Sequence, residues 1–323
     1  MAPRRHLYQL IARNKLSTGL FIILFSIILG VIGLALGSAM RWGTGYYVMF
    51  GLFVVVYNLV LYFNSDRIAL AVNGARAADP AEYAQLHNIV EEVAIAAGLP
   101  KPGVYVIDTD SPNAFATGRG PKHASIAVTR GLLEILDREE LQGVVAHELA
   151  HVRNYDILLM TVVAIIGGLI ILFRDIFLRW GFFFGGGRRR RDSDRGGGQA
   201  QLILVLVGLV LAILAPILVA LIRAAISRQR EYLADASGAY IVRNPHGLAG
   251  ALAKLGQSTE KLRTASNATA HMFITSPFAK DRGESANWFA SHPPLADRIA
   301  RLNSLTLSEE DADPDLTTKT PRH

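Results

Sequence analysis

The sequence predicts a polytopic membrane protein, mainly α with a small β-sheet. Three observations carry that expectation. Of 323 residues, 51% are hydrophobic and only 19% charged, against about a quarter charged in a soluble globular domain. The apolar excess is concentrated in four long runs. Between and after the runs lie two blocks of ordinary polarity that contain short β-like stretches. Mean hydropathy is +0.28, which excludes a disordered chain, since disorder needs low hydrophobicity and high charge. There is no cysteine, so a disulfide scaffold and a cysteine-ligated zinc or iron–sulfur centre are excluded as well.

In chain order, Leu16–Met40 and Gly45–Phe63 are free of charge. A helix needs about 20 mostly apolar residues to cross a bilayer. Residues 1–63 are therefore expected to form an N-terminal transmembrane hairpin, with spans at 16–40 and 45–63 joined by Arg41, Trp42, Gly43 and Thr44. The first run is longer than the roughly 7–15 residues of a signal-peptide core, so it is expected to stay as an anchor. The third run, Ile157–Phe173, is interrupted by Arg174 and Asp175 and extends to Leu178. A buried core helix is the competing reading for it. With Ala200–Ile222 it is expected to form a second hydrophobic hairpin over 157–222, enclosing a flexible Gly/Arg loop at 185–198.

The polar blocks are 64–156 and 223–303, followed by an acidic tail, 304–323, expected to be disordered. Arg4, Arg5, Arg13 and Lys15 precede the first span, whereas its far end carries Arg41 alone. By the positive-inside rule this places the N-terminus in the cytoplasm, in a multi-pass protein of the plasma (inner) membrane. Whether the third and fourth runs cross twice or not at all, both polar blocks share the cytoplasmic side and can build one site. The basic loop 188–191 would then face outward, against the rule. Net charge is +6 and the pI about 9.6, a balance that raises nucleic acid as a partner. The arginine run is glycine-flanked without interleaved aromatics, so solvent or lipid headgroups are expected there, and no nucleic acid.

The chemistry is carried by His147-Glu148-Leu149-Ala150-His151. Asp137 and Glu140 have capping-box spacing, and Leu141, Val144, Val145, Leu149 and Val152 supply a helical apolar pattern. On that helix His147 and His151 project from one face at i and i+4, where two imidazoles can share a metal ion. Glu148 lies about 100° further round, positioned for a water rather than for the metal. Two histidines on an amphipathic surface helix are the bland alternative. A catalytic zinc takes three protein ligands, and without cysteine the third must be a carboxylate or another histidine. Glu231 and Asp235, again i and i+4, follow the fourth run. Glu231 is assigned as the third ligand, and Asp235 as the carboxylate that fixes a ligand imidazole's tautomer. Alone, these acids would equally describe a charged helix face paired with Arg228 and Arg230. Asn113–Gly118 lies between expected strands at 103–107 and 125–129. It is read either as an edge that takes a substrate as an added strand or as a plain hairpin connection.

Together these features resemble the HtpX family of membrane-bound zinc endopeptidases, heat-shock proteases related more distantly to the CAAX prenyl proteases. The resemblance rests on Asn113-Ala-Phe-Ala-Thr-Gly118, on HELAHVRNYD from His147 to Asp156, on Arg230-Glu-Tyr-Leu-Ala-Asp235 and on His292-Pro-Pro-Leu-Ala-Asp-Arg-Ile299, in that order. It covers about Asn64–Leu302 and the N-terminal hairpin. It implies a zincin-like (gluzincin) catalytic domain with one Zn2+ per chain on His147, His151 and Glu231, and Glu148 as the catalytic base. It also implies that Asn113, Ala114, Phe115 and Ala116 flank the substrate cleft. His292 is the candidate for supporting the oxyanion, held on a rigid turn by Pro293 and Pro294. From the residues alone, His292 is equally a loop histidine capping a helix that starts near Leu295.

The implied function is a metalloendopeptidase (EC 3.4.24.-) acting on misfolded or damaged membrane proteins, in stress response and membrane protein quality control. Its expected partners are membrane-protein or unfolded polypeptide substrates and the lipid bilayer, with homo-oligomerisation left open. An intramembrane protease is disfavoured by Asp137, Arg138, Glu139, Glu140, Arg153 and Asp156 around the histidines, all costly at membrane depth. A CAAX-type processing protease would need more than four spans. An inactive scaffold of the same fold is disfavoured by the intact Glu148. A transporter is disfavoured because the strongest apolar runs hold no ionisable residue to line a path.

Overall fold

The computed structural model of the chain describes residues 2–39, 41–166, 168–169, 175, 228–258, 260, 262, 269, 272–275 and 293–305. The expected fourth apolar run, the Gly/Arg loop 185–198, the tail beyond 305 and His292 lie outside the described residues. Within them the chain is mainly helical, with one small mixed sheet.

Helix α1 spans Ala2–Ala39 and α2 spans Thr44–Phe63. The stretches long and apolar enough to cross a membrane are Asn14–Ala35 and Thr44–Phe63. Their outward faces, including Leu20, Ile27, Leu34, Val48 and Leu52, are apolar and exposed, the inverse of a soluble surface and the expected state against lipid tails. The turn between them sets Arg41 at φ 52°. Helix α3, Ser65–Val72, follows after a break at Asn64.

Strands β1 (Ala75–Ala77), β2 (Gly103–Ile107), β3 (Ala114–Gly120) and β4 (His123–Thr129) form a sheet of order β1-β2-β4-β3. Only the β2–β4 pair is parallel, and the required crossover contains β3 in place of a helix. The strand expected at 103–107 is present residue for residue, and that at 125–129 begins two residues earlier. The stretch between them is an edge strand rather than a simple connection. Most of it is β3, the outer strand of a hairpin with β4. Central β4 is covered on both faces, so its interior carries no charge and reads as one continuous apolar–small run. Helix α4 (Ala84–Ala96) and α6 (Arg138–Arg153) join the core on one face through Ile89, Val93, Ile126, Val128, Val144 and Val145. Phe115 and Ala127 face the other way, toward Leu70 and Phe273.

After the short helix α5 (Arg130–Ile135), α6 starts at the expected capping box. The Asp137 side chain accepts from the Glu140 amide at 3.0 Å, and Glu140 accepts from the Asp137 amide at 2.9 Å. Twelve of the 16 residues of α6 are buried, so it is the central helix of the domain. At Asn154 and Tyr155 the chain turns through 86° into α7, Asp156–Ile166. Leu158, Val162 and Ile166 of α7 pack among Phe25 and Leu29 of α1 and Leu61 of α2. This part of the third apolar run therefore lies alongside the membrane helices. Helices α8 (Arg228–Val242), α9 (Pro245–Gln257) and α10 (Leu295–Ser304) complete the described fold.

Candidate metal centre

Two helices build the centre by packing very closely. A Cβ added at Gly238 of α8 would come 2.9 Å from the His147 backbone nitrogen, so only glycine lets α8 lie on α6 there. Glu231 is two turns before Gly238 on the same face, and this carries its carboxylate to the histidines. His147, His151 and Glu231 are all buried, and one donor atom from each lies within 4.8 Å of the others.

The two imidazole rings stand at 88° with their Nε2 atoms 3.2 Å apart. Glu231 Oε1 is 3.6 Å from His151 Nε2. Behind each ring stands a carboxylate: Asp235 Oδ1 is 2.9 Å from His147 Nδ1, and Asp156 Oδ2 is 3.1 Å from His151 Nδ1. An ionised carboxylate only accepts, so at His151 Nδ1 carries the proton and Nε2 presents a lone pair, and Asp235 at ion-pair distance favours the same tautomer at His147. Two lone pairs facing one another at 3.2 Å, beside a third anionic oxygen, are stable only around a cation or a proton. Ligands about 2.0–2.1 Å from one tetrahedral ion stand about 3.3 Å apart, so the residues present fit a metal such as zinc. Burial disfavours charge on His151, yet Asp156, Glu231 and Glu148 outweigh it and push its pKa up to about 9. The centre is thus strongly attractive to positive charge. Burial pushes Glu148 up to about 7, with Glu231 adding to the shift. The Ala116 backbone amide and Arg298 pull the other way.

Of the residues expected at the site, His147, Glu148, His151, Glu231 and Asp235 are brought together. Asn113, Ala114, Phe115 and Ala116 adjoin them but are largely engaged internally. The Asn113 side chain bonds the Thr275 carbonyl at 3.1 Å and the Ala114 amide at 3.1 Å. The Ala114 carbonyl accepts from Ile274 at 2.9 Å, and Phe115 is buried against Phe273. Ala116 alone of the four turns its amide to Glu148.

Three functional positions went unremarked in the sequence. Arg298, wholly buried, forks onto Asp235 through Nε and Nη2 at 2.8 and 2.6 Å and donates to the Ile274 carbonyl at 2.9 Å. Its signal was an arginine on the buried stripe of α10 with Leu295 and Leu302 at i−3 and i+4. Asp156 sits inside the quoted motif without an assigned role. Asn14, buried on the membrane helix, donates to Asp156 Oδ1 at 2.7 Å and to the Asn154 carbonyl at 3.1 Å. Arg230 also reaches Asp156 Oδ1, at 3.2 Å.

Comparison with known proteins gives matches along most of the chain. The model of peptidase family M48 matches residues 80–306. A protease HtpX homolog of Caldanaerobacter subterraneus subsp. tengcongensis is 58% identical over 307 residues, 94% of this chain and 99% of the relative. Homologs so named from Thermoanaerobacter pseudethanolicus (55%, 94% and 99%) and Dictyoglomus thermophilum (43%, 92% and 94%) are similar in the same way. The crystal structure of S. mikatae Ste24p is 18% identical with a TM-score of 0.46, over 91% of this chain and 66% of that one. At these identities and coverages the chain belongs to peptidase family M48, in the HtpX family of membrane metalloproteases.

Proposed function

We propose that this membrane protease is a zinc endopeptidase (EC 3.4.24.-) that cuts misfolded or damaged membrane proteins on the cytoplasmic face of the plasma (inner) membrane. The observation that carries this reading is the convergence of two Nε2 lone pairs and the Glu231 carboxylate beside a buried Glu148. In it, His147, His151 and Glu231 hold the ion. When bound, zinc supplies Lewis acidity, lowering the pKa of water and polarising a carbonyl. Glu148, with a pKa near neutrality, accepts the proton of the attacking water and returns it to the departing amine. Asp235 and Asp156 keep the Nδ1 protons in place, so both imidazoles present Nε2. His292 is assigned to the oxyanion, and the strand containing Ala116 to the substrate backbone.

The membrane hairpin and the basic N-terminal flank support the cytoplasmic, multi-pass assignment, and the tether supports substrates that are themselves in the membrane. Glu148→Gln tests the reading in detergent with casein and a model membrane protein. Cleavage is expected to fall by about a hundredfold or more, with bound zinc retained by metal analysis. Undiminished cleavage would remove Glu148 from the mechanism, and wild type without bound metal would remove the zinc.

A further inference from the structure

A cavity of about 370 Å³ lies where the membrane helices meet the sheet and the corner before α7, and no part of the peptidase reading uses it. We propose that it binds an anionic phospholipid, with the headgroup phosphate on Lys15 and Arg119 and the upper acyl chain on Ile22 and Leu158.

Charge is the first argument. Lys15 and Arg119 line the same cavity, and among the described residues neither meets a carboxylate. Lys15 Nζ rests 4.4 Å above the Tyr155 ring, and Arg119 donates to the Phe63 carbonyl at 3.1 Å while its guanidinium lies 5.0 Å over the Phe63 ring. Both cations are therefore held in place by aromatic rings and a carbonyl, with no anion among the described residues neutralising them.

Depth is the second. The apolar span of α1 begins at Asn14 and that of α2 ends at Phe63, so both cations stand at the same membrane face. Cations at such a face commonly snorkel to water. Here they also cap a graded wall. Lys15, Thr18 and Ile22 follow one another down α1 on the cavity side, seven residues or about 10 Å of helix rise. The wall passes from charge to hydrocarbon, in the order of a phospholipid's phosphate and acyl chain. Basic pockets between membrane helices on the cytoplasmic side take anionic headgroups in this way.

The cavity also adjoins the metal centre. Tyr155, under Lys15, is held at φ 59°, and the next residue, Asp156, contacts His151.

The full-length protein is tested in detergent by native mass spectrometry with phosphatidylglycerol and, separately, phosphatidylcholine. Wild type is expected to retain phosphatidylglycerol, and Lys15→Gln/Arg119→Gln to retain at least about tenfold less. Phosphatidylcholine is expected to be held weakly by both. The charge-preserving Lys15→Arg/Arg119→Lys protein is expected to keep the lipid, which separates loss of charge from loss of fold. Equal retention of phosphatidylglycerol by the glutamine variant would overturn the proposal, as would equal retention of the two lipids by wild type. Displacement of the lipid by millimolar inorganic phosphate would also overturn it, since the site would then be one for free anions. None of these readouts depends on metal or on cleavage.

Discussion

His147 and His151 are one helical turn apart and chemically alike, yet they are supported from opposite ends of the chain. Behind His147 stands Asp235, gripped by the fully buried Arg298 of α10. Behind His151 stands Asp156, which accepts from Asn14 of the membrane helix and from Arg230 of α8. The first support is ionic, dry and contributed by the C-terminal block. The second is mixed, with an amide from the bilayer side sharing one carboxylate oxygen with an arginine. A buried charge pair punishes the loss of one partner severely, whereas a shared carboxylate keeps one donor when it loses the other. The same two imidazoles are therefore locked on one side and adjustable on the other.

The largest test breaks the locked side. Arg298→Met leaves Asp235 buried without its cation, and the expected loss is about 3–5 kcal/mol, read as a lower midpoint of thermal unfolding in detergent. Arg230→Met, whose side chain is partly accessible and whose carboxylate keeps Asn14, is expected to cost well under half as much. Equal losses would erase the distinction between the two supports. Next in size is Asp156→Ala, expected to weaken metal binding by about 10–100-fold in competition with a chelator. The smallest is Asn14→Ala. Metal affinity is expected to fall by less than about tenfold, with about 1–3 kcal/mol lost from stability. Ser26→Ala, on the same helix and outside the lipid cavity, is the control. Its hydroxyl donates to the Ile22 carbonyl within α1, so its metal affinity is expected to stay at the wild-type value. A drop in both variants would mean that α1 matters for packing alone.

Features set by local spacing were readable in the sequence. The capping box of α6, the i,i+4 histidines, the strand at 103–107 and the two apolar spans depend on residues a few positions apart. The supports were not readable, because they join residues far apart along the chain. Asn14 and Asp156 are 142 positions apart, and Asp235 and Arg298 are 63 apart. An asparagine at the start of an apolar run looks like ordinary interfacial polarity until its partner is known. Arg298 looked like one charge among Asp297 and Arg301 on a short helix, and only the apolar stripe through Leu295 and Leu302 hinted at burial. The β3 strand was partly readable, since Asn113–Gly118 offered an edge as one of its two readings, and in the fold the strand runs to Gly120 through glycines at φ 137° and 154°.

The bond between Asn14 and Asp156 also acts as a ruler. Asn14 is the first residue of the apolar span of α1, and two hydrogen bonds separate it from His151. The metal centre is thereby tied to the end of a helix long and apolar enough to cross a membrane. The position of one asparagine thus sets the height of the metal centre relative to that span.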